Sequence, residues 1–243
     1  MPTRRTFLAL SLSLLAALGC AMGGDATGSK LQTSGFEGGC FDQPGGEFTP
    51  ENFADVEVFV ERGDAAWEFT LPSLDGDDVT LSELLKTKPV VLFTGSYTCP
   101  VYRRNRKKID QLARKLGDKV HVVIVYGPEA HPKTDNSPYS GKDWSKPDKY
   151  SDFDLAKTME ERVDHAKQVG STAGVLELVE PLDNPLWCTY GTAPNAAYLI
   201  DQDGLFYAVH DWFDPPTMVE SIAALFDRRP PPKKKPGRRR QRP

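Results

Sequence analysis

The stretch Pro89-Val90-Val91-Leu92-Phe93-Thr94-Gly95-Ser96-Tyr97-Thr98-Cys99-Pro100 decides how the chain folds. It opens with a continuous apolar run, the pattern of a strand covered on both faces. A short turn of small and hydroxylic residues follows. Pro100 then stands at the first position of a helix, where its missing N–H costs nothing. From Pro100 to about Leu116, Val101, Ile109, Leu112 and Leu116 share one side, while Arg103, Arg104, Arg106, Lys107, Lys108, Arg114 and Lys115 fill the others. Cys99 therefore falls at a helix N-terminus. Free N–H donors and the positive end of the helix dipole stabilise a thiolate there, and Arg103 one turn on adds to the effect. Cys99 is the expected nucleophile, the alternative being an inert buried cysteine.

Outward from this unit the same alternation continues. Val120–Tyr126 reads as a second buried strand, followed by a polar excursion from Gly127 to about Asp152 that is long for a connection inside a compact domain. Helical spacing returns from about Phe153 to Gly170. Val175–Val179 and Ala196–Ile200 read as strands, Asp201–Gly204 as a hairpin turn with Leu205–Val209 as its partner, and Pro216–Phe226 as a last helix. Upstream, Val56–Val60 is strand-like, Trp67–Leu71 and Val79–Leu81 flank an Asp75-Gly76-Asp77 turn, and Ser82–Leu85 makes a short helical turn. The pattern predicts an α/β fold: a mixed central sheet flanked by helices, with an N-terminal β-hairpin and an inserted loop plus helix. With 39% hydrophobic and 26% charged residues in 243, the chain is sized for one soluble domain, here residues 56–227, and not for a fibrous or polytopic membrane protein.

The ends read differently. Arg4 and Arg5 precede an apolar run, Phe7 to Gly19, too short to span a bilayer, so residues 1–19 are expected to be a signal peptide. Thr3-Arg4-Arg5-Thr6-Phe7-Leu8 resembles the twin-arginine export motif. Ala17-Leu18-Gly19-Cys20 looks like a lipobox, making Cys20 the expected lipidation site and the membrane a partner through that anchor; plain cleavage near Ala21 is the alternative. Residues 20–55 lack apolar periodicity and read as a flexible linker, and residues 228–243 as a disordered basic tail. That tail holds nine of the 30 Lys and Arg and no acid, leaving residues 1–227 with 21 cations against 34 acids. So acidic a body is a poor nucleic-acid binder. Outside the cytoplasm the tail would meet envelope polyanions, or serve only solubility.

Four cysteines, none in a Cys-x-x-Cys pair, exclude a zinc ribbon and a dithiol motif. No His/Cys cluster has metal-ligand spacing, so no metal is expected, and His121, His165 and His210 read as isolated. Tyr102 and Trp144 are either pocket-lining or packing residues.

Gly63-Asp64-Ala65-Ala66-Trp67-Glu68-Phe69-Thr70-Leu71-Pro72 and Thr192-Ala193-Pro194 resemble the thioredoxin-like redoxins, and the second match implies that Pro194 is a cis-proline facing the active sulfur. More narrowly, the chain resembles the iodothyronine deiodinases. Gly95–Pro100 matches their Gly-Ser-Cys-Thr-Sec-Pro segment, with Cys99 at the selenocysteine position. Val125-Tyr126-Gly127-Pro128-Glu129-Ala130-His131-Pro132 matches their Ile-Tyr-x-Glu-Glu-Ala-His-Pro stretch. Lys157–Arg162 parallels a helix start found there, and Ala193–Ile200 a strand. The resemblance covers about residues 60–227. Three departures stand out: cysteine replaces selenocysteine, Tyr97 replaces a further cysteine, and Ala156 falls where the family has a histidine associated with the hormone's phenol. They weigh against iodothyronine as the natural substrate.

The resemblance implies a thioredoxin-like thiol oxidoreductase. His131, at the sheet edge that delivers Cys99, would supply a proton, with Glu129 orienting it; the pattern alone equally fits a solvated loop histidine. Ser96 and Thr98 would donate to sulfur or substrate or cap the helix, capping being the main duty expected of Thr98. Cys188, six residues before Pro194, would resolve an oxidised Cys99 or pair with Cys40. The expected partners are a small-molecule electrophile (a halogenated ring, a peroxide or a disulfide) and an external thiol reductant, with no bound cofactor. A thiol peroxidase is the first rival, although Leu92 occupies the proline position of the peroxiredoxin motif. A non-catalytic envelope lipoprotein is the second.

Overall fold

The computed structural model describes residues 30–32, 58–135, 137–138 and 152–232. In chain order the elements are β1 (Thr70–Pro72), β2 (Asp78–Thr80), α1 (Leu81–Leu85), β3 (Val90–Gly95), α2 (Pro100–Leu116), β4 (His121–Tyr126), α3 (Met159–Lys167), β5 (Val175–Val179), α4 (Pro185–Tyr190), β6 (Ala197–Ile200), β7 (Phe206–His210) and α5 (Pro215–Phe226). β1 and β2 form a small antiparallel hairpin; the other five strands make one sheet in the order β5-β4-β3-β6-β7.

β3 is central because it is apolar at every position that a middle strand must bury, and all six of its residues are buried. Its side chains alternate. Val91 and Phe93 join Val122, Ile124, Ala197 and Leu199 beneath α2 and α5, while Val90 and Leu92 join Val123, Val125, Tyr198 and Ile200 beneath the hairpin, α1 and α4. Each such side chain contributes about 1.5–3 kcal/mol on full burial, so a one-residue slip of β3 would exchange both layers at once. The register is parallel to β4, with Val90 opposite His121 and Gly95 opposite Tyr126, and antiparallel to β6. The chain segments leaving β3 and β4 consequently emerge side by side. This is the α/β architecture the sequence pattern predicts: a mixed central sheet flanked by helices, with a separate N-terminal hairpin.

Several expectations are corrected. Val58–Val60 form no strand, and Phe59 donates its N–H to the Tyr190 carbonyl instead. The helix expected from Phe153 begins at Met159, because Thr158 caps it and Asp154 is occupied with the backbone N–H groups of Thr134 and Asp135. α4 was not foreseen. It opens with Pro185 at its first turn, after Asn184 in the left-handed region. Within the expected linker, Lys30–Gln32 lie against the domain: Gln32 exchanges backbone hydrogen bonds with Ala66 and Glu68, and Leu31 packs over Gly204. No peptide among the described residues is cis, so the bond before Pro194 is trans. Residues 1–29 and 233–243, with the export motif, Cys20 and the tail's lysines, lie outside the described residues, as do Cys40 and Trp144.

Candidate active site

Gly95 ends β3 with the Tyr102 ring packed where a β-carbon would stand, so only glycine lets the turn close onto the helix. After Ser96 the chain turns and Cys99 becomes the N-cap of α2. Its Sγ accepts the Tyr102 N–H at 3.5 Å, satisfying one of the donors the helix leaves open. Capping thus falls to Cys99 and not to Thr98. The thiol is in no disulfide and is fully buried, in the cluster that holds Tyr102, Ala130, Trp187 and Phe213.

Thr98 joins two loops. Its N–H and hydroxyl both donate to Glu129 Oε2, at 2.9 and 2.6 Å, and its hydroxyl oxygen accepts the His131 N–H at 3.0 Å. Beside it, Ser96 Oγ accepts the Ala130 N–H at 3.1 Å. The loop after β4 is therefore fastened to the turn carrying Cys99, and His131, half buried, is held by its backbone next to that turn. Tyr126 donates its hydroxyl to Glu129 Oε1 and accepts the Tyr97 N–H. Burial, then the neighbouring carboxylate, holds the Tyr126 phenol well above its usual range, so it serves as a donor. The contacts of Glu129 run to Thr98, Tyr126 and His165. It orders the nucleophile's turn, where an orienting grip on His131 was expected.

His165, expected to be isolated, stands with Nδ1 3.5 Å from Glu129 Oε1. Its ring stacks on Phe153 at 4.1 Å, Phe153 meets Tyr97 at 4.9 Å, and the Arg103 guanidinium lies 4.1 Å from the centre of the Tyr97 ring. Arg103, expected to support the sulfur, is thus seated on the aromatic face of Tyr97. Pro194 is buried in a loop clamped to β3, where Thr94 donates to the Ala193 carbonyl at 2.9 Å and accepts the Ala196 N–H. Asn105 of α2 ties the same loop through Asn195. Tyr102 is a packing residue, 1% exposed.

Cys188, at half burial on α4, is disulfide-bonded, so in this state it is not available to resolve Cys99. Among the described residues no group of three or more His, Cys, Asp and Glu could hold a metal ion. None of their helices is long and apolar enough to cross a membrane. A hollow of about 230 Å³ opens between β1 and α4, lined by Trp67, Phe69, Leu186 and Tyr190, and includes none of the residues round Cys99.

The family model for iodothyronine deiodinase matches residues 52–212, more than half of the chain and the whole of this site. The chain belongs to the iodothyronine deiodinase family. A thiol-dependent redox function comes with that membership. Among solved structures, the deiodinase-family chain is similar to an uncharacterised conserved protein from Geobacillus kaustophilus at 16% identity, covering 74% of this chain and 89% of that one with a TM-score of 0.50; at this identity the likeness bears on the fold alone. It is also similar to an exposed lipoprotein thioredoxin from Streptococcus pneumoniae, at 20% identity over 64% and 98% of the two chains with a TM-score of 0.46. The corresponding figures for a putative thiol:disulfide interchange protein from Chlorobium tepidum are 20%, 68%, 97% and 0.47.

Proposed function

We propose that this deiodinase-family protein is an exported, lipid-anchored reductase in which the Cys99 thiolate attacks a soft electrophilic atom, with reductive dehalogenation of an activated aromatic ring as its reaction. The observation that carries the reading is the joint of Cys99 with the 126–131 loop: a sulfur at a helix cap that accepts an N–H, beside a threonine bonded to both Glu129 and the backbone of His131. The cap favours the thiolate. Sulfur takes the halogen as the carbon–halogen bond breaks, the ring carbon keeps the electron pair, and the proton it needs comes from the imidazolium of His131. The sulfenyl halide at Cys99 is then displaced by an external thiol, giving halide and a mixed disulfide. A second thiol frees Cys99, so one disulfide leaves for each ring reduced. The electrons come from thiol and no bound cofactor takes part. Ser96, Thr98, Pro194 and Arg103 support the site by ordering its loops.

Because the sulfur is enclosed, reaction requires an opening of its cover, which shields the sulfenyl intermediate from water once closed. Export, anchoring through Cys20 and adhesion of the basic tail to envelope polyanions rest on the sequence motifs. The test compares halide release from activated aryl iodides with peroxide consumption, both with excess thiol, in wild type and Cys99→Ser. Thiol-dependent iodide release lost in Cys99→Ser is expected. Peroxide consumption without iodide release would favour the peroxidase, and neither activity the binding lipoprotein.

A further inference from the structure

We propose that His165 is a positioning residue of this site: its imidazolium holds the Glu129 carboxylate against Thr98, so that the protonation of His165 sets how readily Cys99 becomes a thiolate. The inference rests on Cys99 being the nucleophile and adds a control element to it. Glu129 is 2% exposed on its side chain and His165 15%, with 3.5 Å between Oε1 and Nδ1. A carboxylate so enclosed needs donors and a neighbouring cation to offset its lost hydration. The donors are the Thr98 N–H and hydroxyl and the Tyr126 hydroxyl.

Arg162, one turn before His165, also feels the Glu129 charge, but its guanidinium donates to the Glu180 and Pro181 carbonyls and to Asn184 Oδ1. The basic side chain within 4 Å of Glu129 is therefore a histidine, a residue type that can gain or lose its charge where an arginine keeps it. Phe153 stacks on the ring within 14° of parallel and fixes its plane. The other ionisable groups near the pair are Tyr126, held protonated; His131, whose backbone N–H donates to the Thr98 hydroxyl that binds Glu129; Glu180, just past β5, which acts on Arg162; and Asp152 and Arg103, which meet Tyr97.

The coupling has a definite sign. With His165 protonated, the charge of Glu129 is balanced and a thiolate on the residue after Thr98 meets no net repulsion. With His165 neutral, the carboxylate stands uncompensated on Thr98, one residue from that thiolate, and disfavours it. By reciprocity, a thiolate on Cys99 makes His165 hold its proton to higher pH.

The experiment measures the rate of Cys99 carboxamidomethylation by iodoacetamide, located by peptide mapping, from pH 5.5 to 8.5 in wild type, His165→Gln and His165→Phe, the last keeping the ring stack. At pH 6 wild type should react about threefold to tenfold faster than either variant, the size expected for one uncompensated charge near a partly buried group, with the ratio falling to near one by pH 8.5. A merely structural role would change the rate by the same factor at every pH, and a ratio independent of pH overturns the inference. Glu180→Gln serves as control, since Glu180 also titrates near neutrality: it should keep the dependence, and losing it there while His165→Gln retains it would overturn the inference too. Should both His165 variants unfold, the ring-carbon NMR titration of His165 in wild type replaces them. Capping Cys99 with iodoacetamide should lower its midpoint and leave that of His121, at the other end of β4, unchanged; an unmoved His165 overturns the inference. A Cys99 that is inert at every pH removes the nucleophile and this coupling together, whereas a reactive Cys99 with unchanged profiles removes the coupling alone.

Discussion

Thr98 shows how much of the site hangs on one side chain. Its hydroxyl donates to Glu129 and accepts from the His131 backbone, so Thr98→Val takes one of two Thr98 donors from the buried Glu129 Oε2 and the acceptor from the partly buried His131 N–H. The expected cost is about 1–3 kcal/mol in urea unfolding, with thiol-dependent turnover lost as the 126–131 loop comes away. Thr98→Ser, which keeps the hydroxyl, should restore most of both; a valine variant with wild-type stability and turnover would remove Thr98 from the joint. The position of Cys99 was legible, because a buried run, a short turn and Cys-Pro before a helical period allow few other arrangements. The duty of Thr98 was not. Capping and cross-loop bonding draw on the same hydroxyl, and only the nearness of Glu129 decides between them. His165 was illegible for a related reason: helical spacing says which residues share a face, but not that Glu129 and Phe153 stand opposite.

The element that positions the chemistry is the β3-turn-α2 unit, and its tightest point is Gly95 against Tyr102. Gly95→Ala drives a methyl group into a ring that is itself 1% exposed, so the turn must open. The expected loss is about 1–3 kcal/mol, read as a lowered Tm, together with slower Cys99 alkylation as the helix cap is displaced. A fully stable, fully reactive alanine variant would refute that packing. Further along α2, Arg106 bonds Asp110 at 3.0 Å and Glu177 of β5 at 2.5 Å, with 9% of its side chain exposed. Arg106→Leu strands Glu177 and should cost about 3–5 kcal/mol, whereas Arg106→Leu with Glu177→Leu should recover much of that; equal losses in the single and double variants would contradict the pairing. Sequence patterning put Arg106 with the other basic residues, off the apolar side of the helix. Seven basic residues on one helix look alike until Glu177, the polar residue in an otherwise apolar strand, gives one of them a buried partner. The strands of the sheet were read nearly in place because continuous apolar runs leave little choice, while six-residue α4 and the late start of α3 depend on capping and loop contacts that periodicity does not carry.

Over the whole molecule, the described part of the expected linker is fastened to the domain at Lys30–Gln32, and Cys188 is held in a disulfide close to the Pro194 loop. Stability should also respond to pH through Glu180. Burial, offset by the Trp187 and Leu186 N–H groups and by Arg162, pushes its carboxyl up to about 7 from 4.5. Between those values the folded chain keeps a proton that the unfolded chain has released, so stability is greatest at the acid end and falls as pH rises through the window. The contribution lost is on the order of 3 kcal/mol. Urea midpoints from pH 5 to 8 should decline in wild type and decline less in Glu180→Gln; parallel slopes would assign the dependence elsewhere. The central claim is that the enclosed sulfur of Cys99 is a poised thiolate reached by transient opening of a folded site. Intact-mass and peptide-mapped alkylation of the native protein at pH 7, with a small-molecule thiol of ordinary pKa alongside, tests it most directly: Cys99 should gain one carboxamidomethyl group while the protein stays folded, and should still do so at pH 6, where the reference thiol has all but stopped reacting. A Cys99 that stays unmodified until the chain is unfolded in urea would contradict the account.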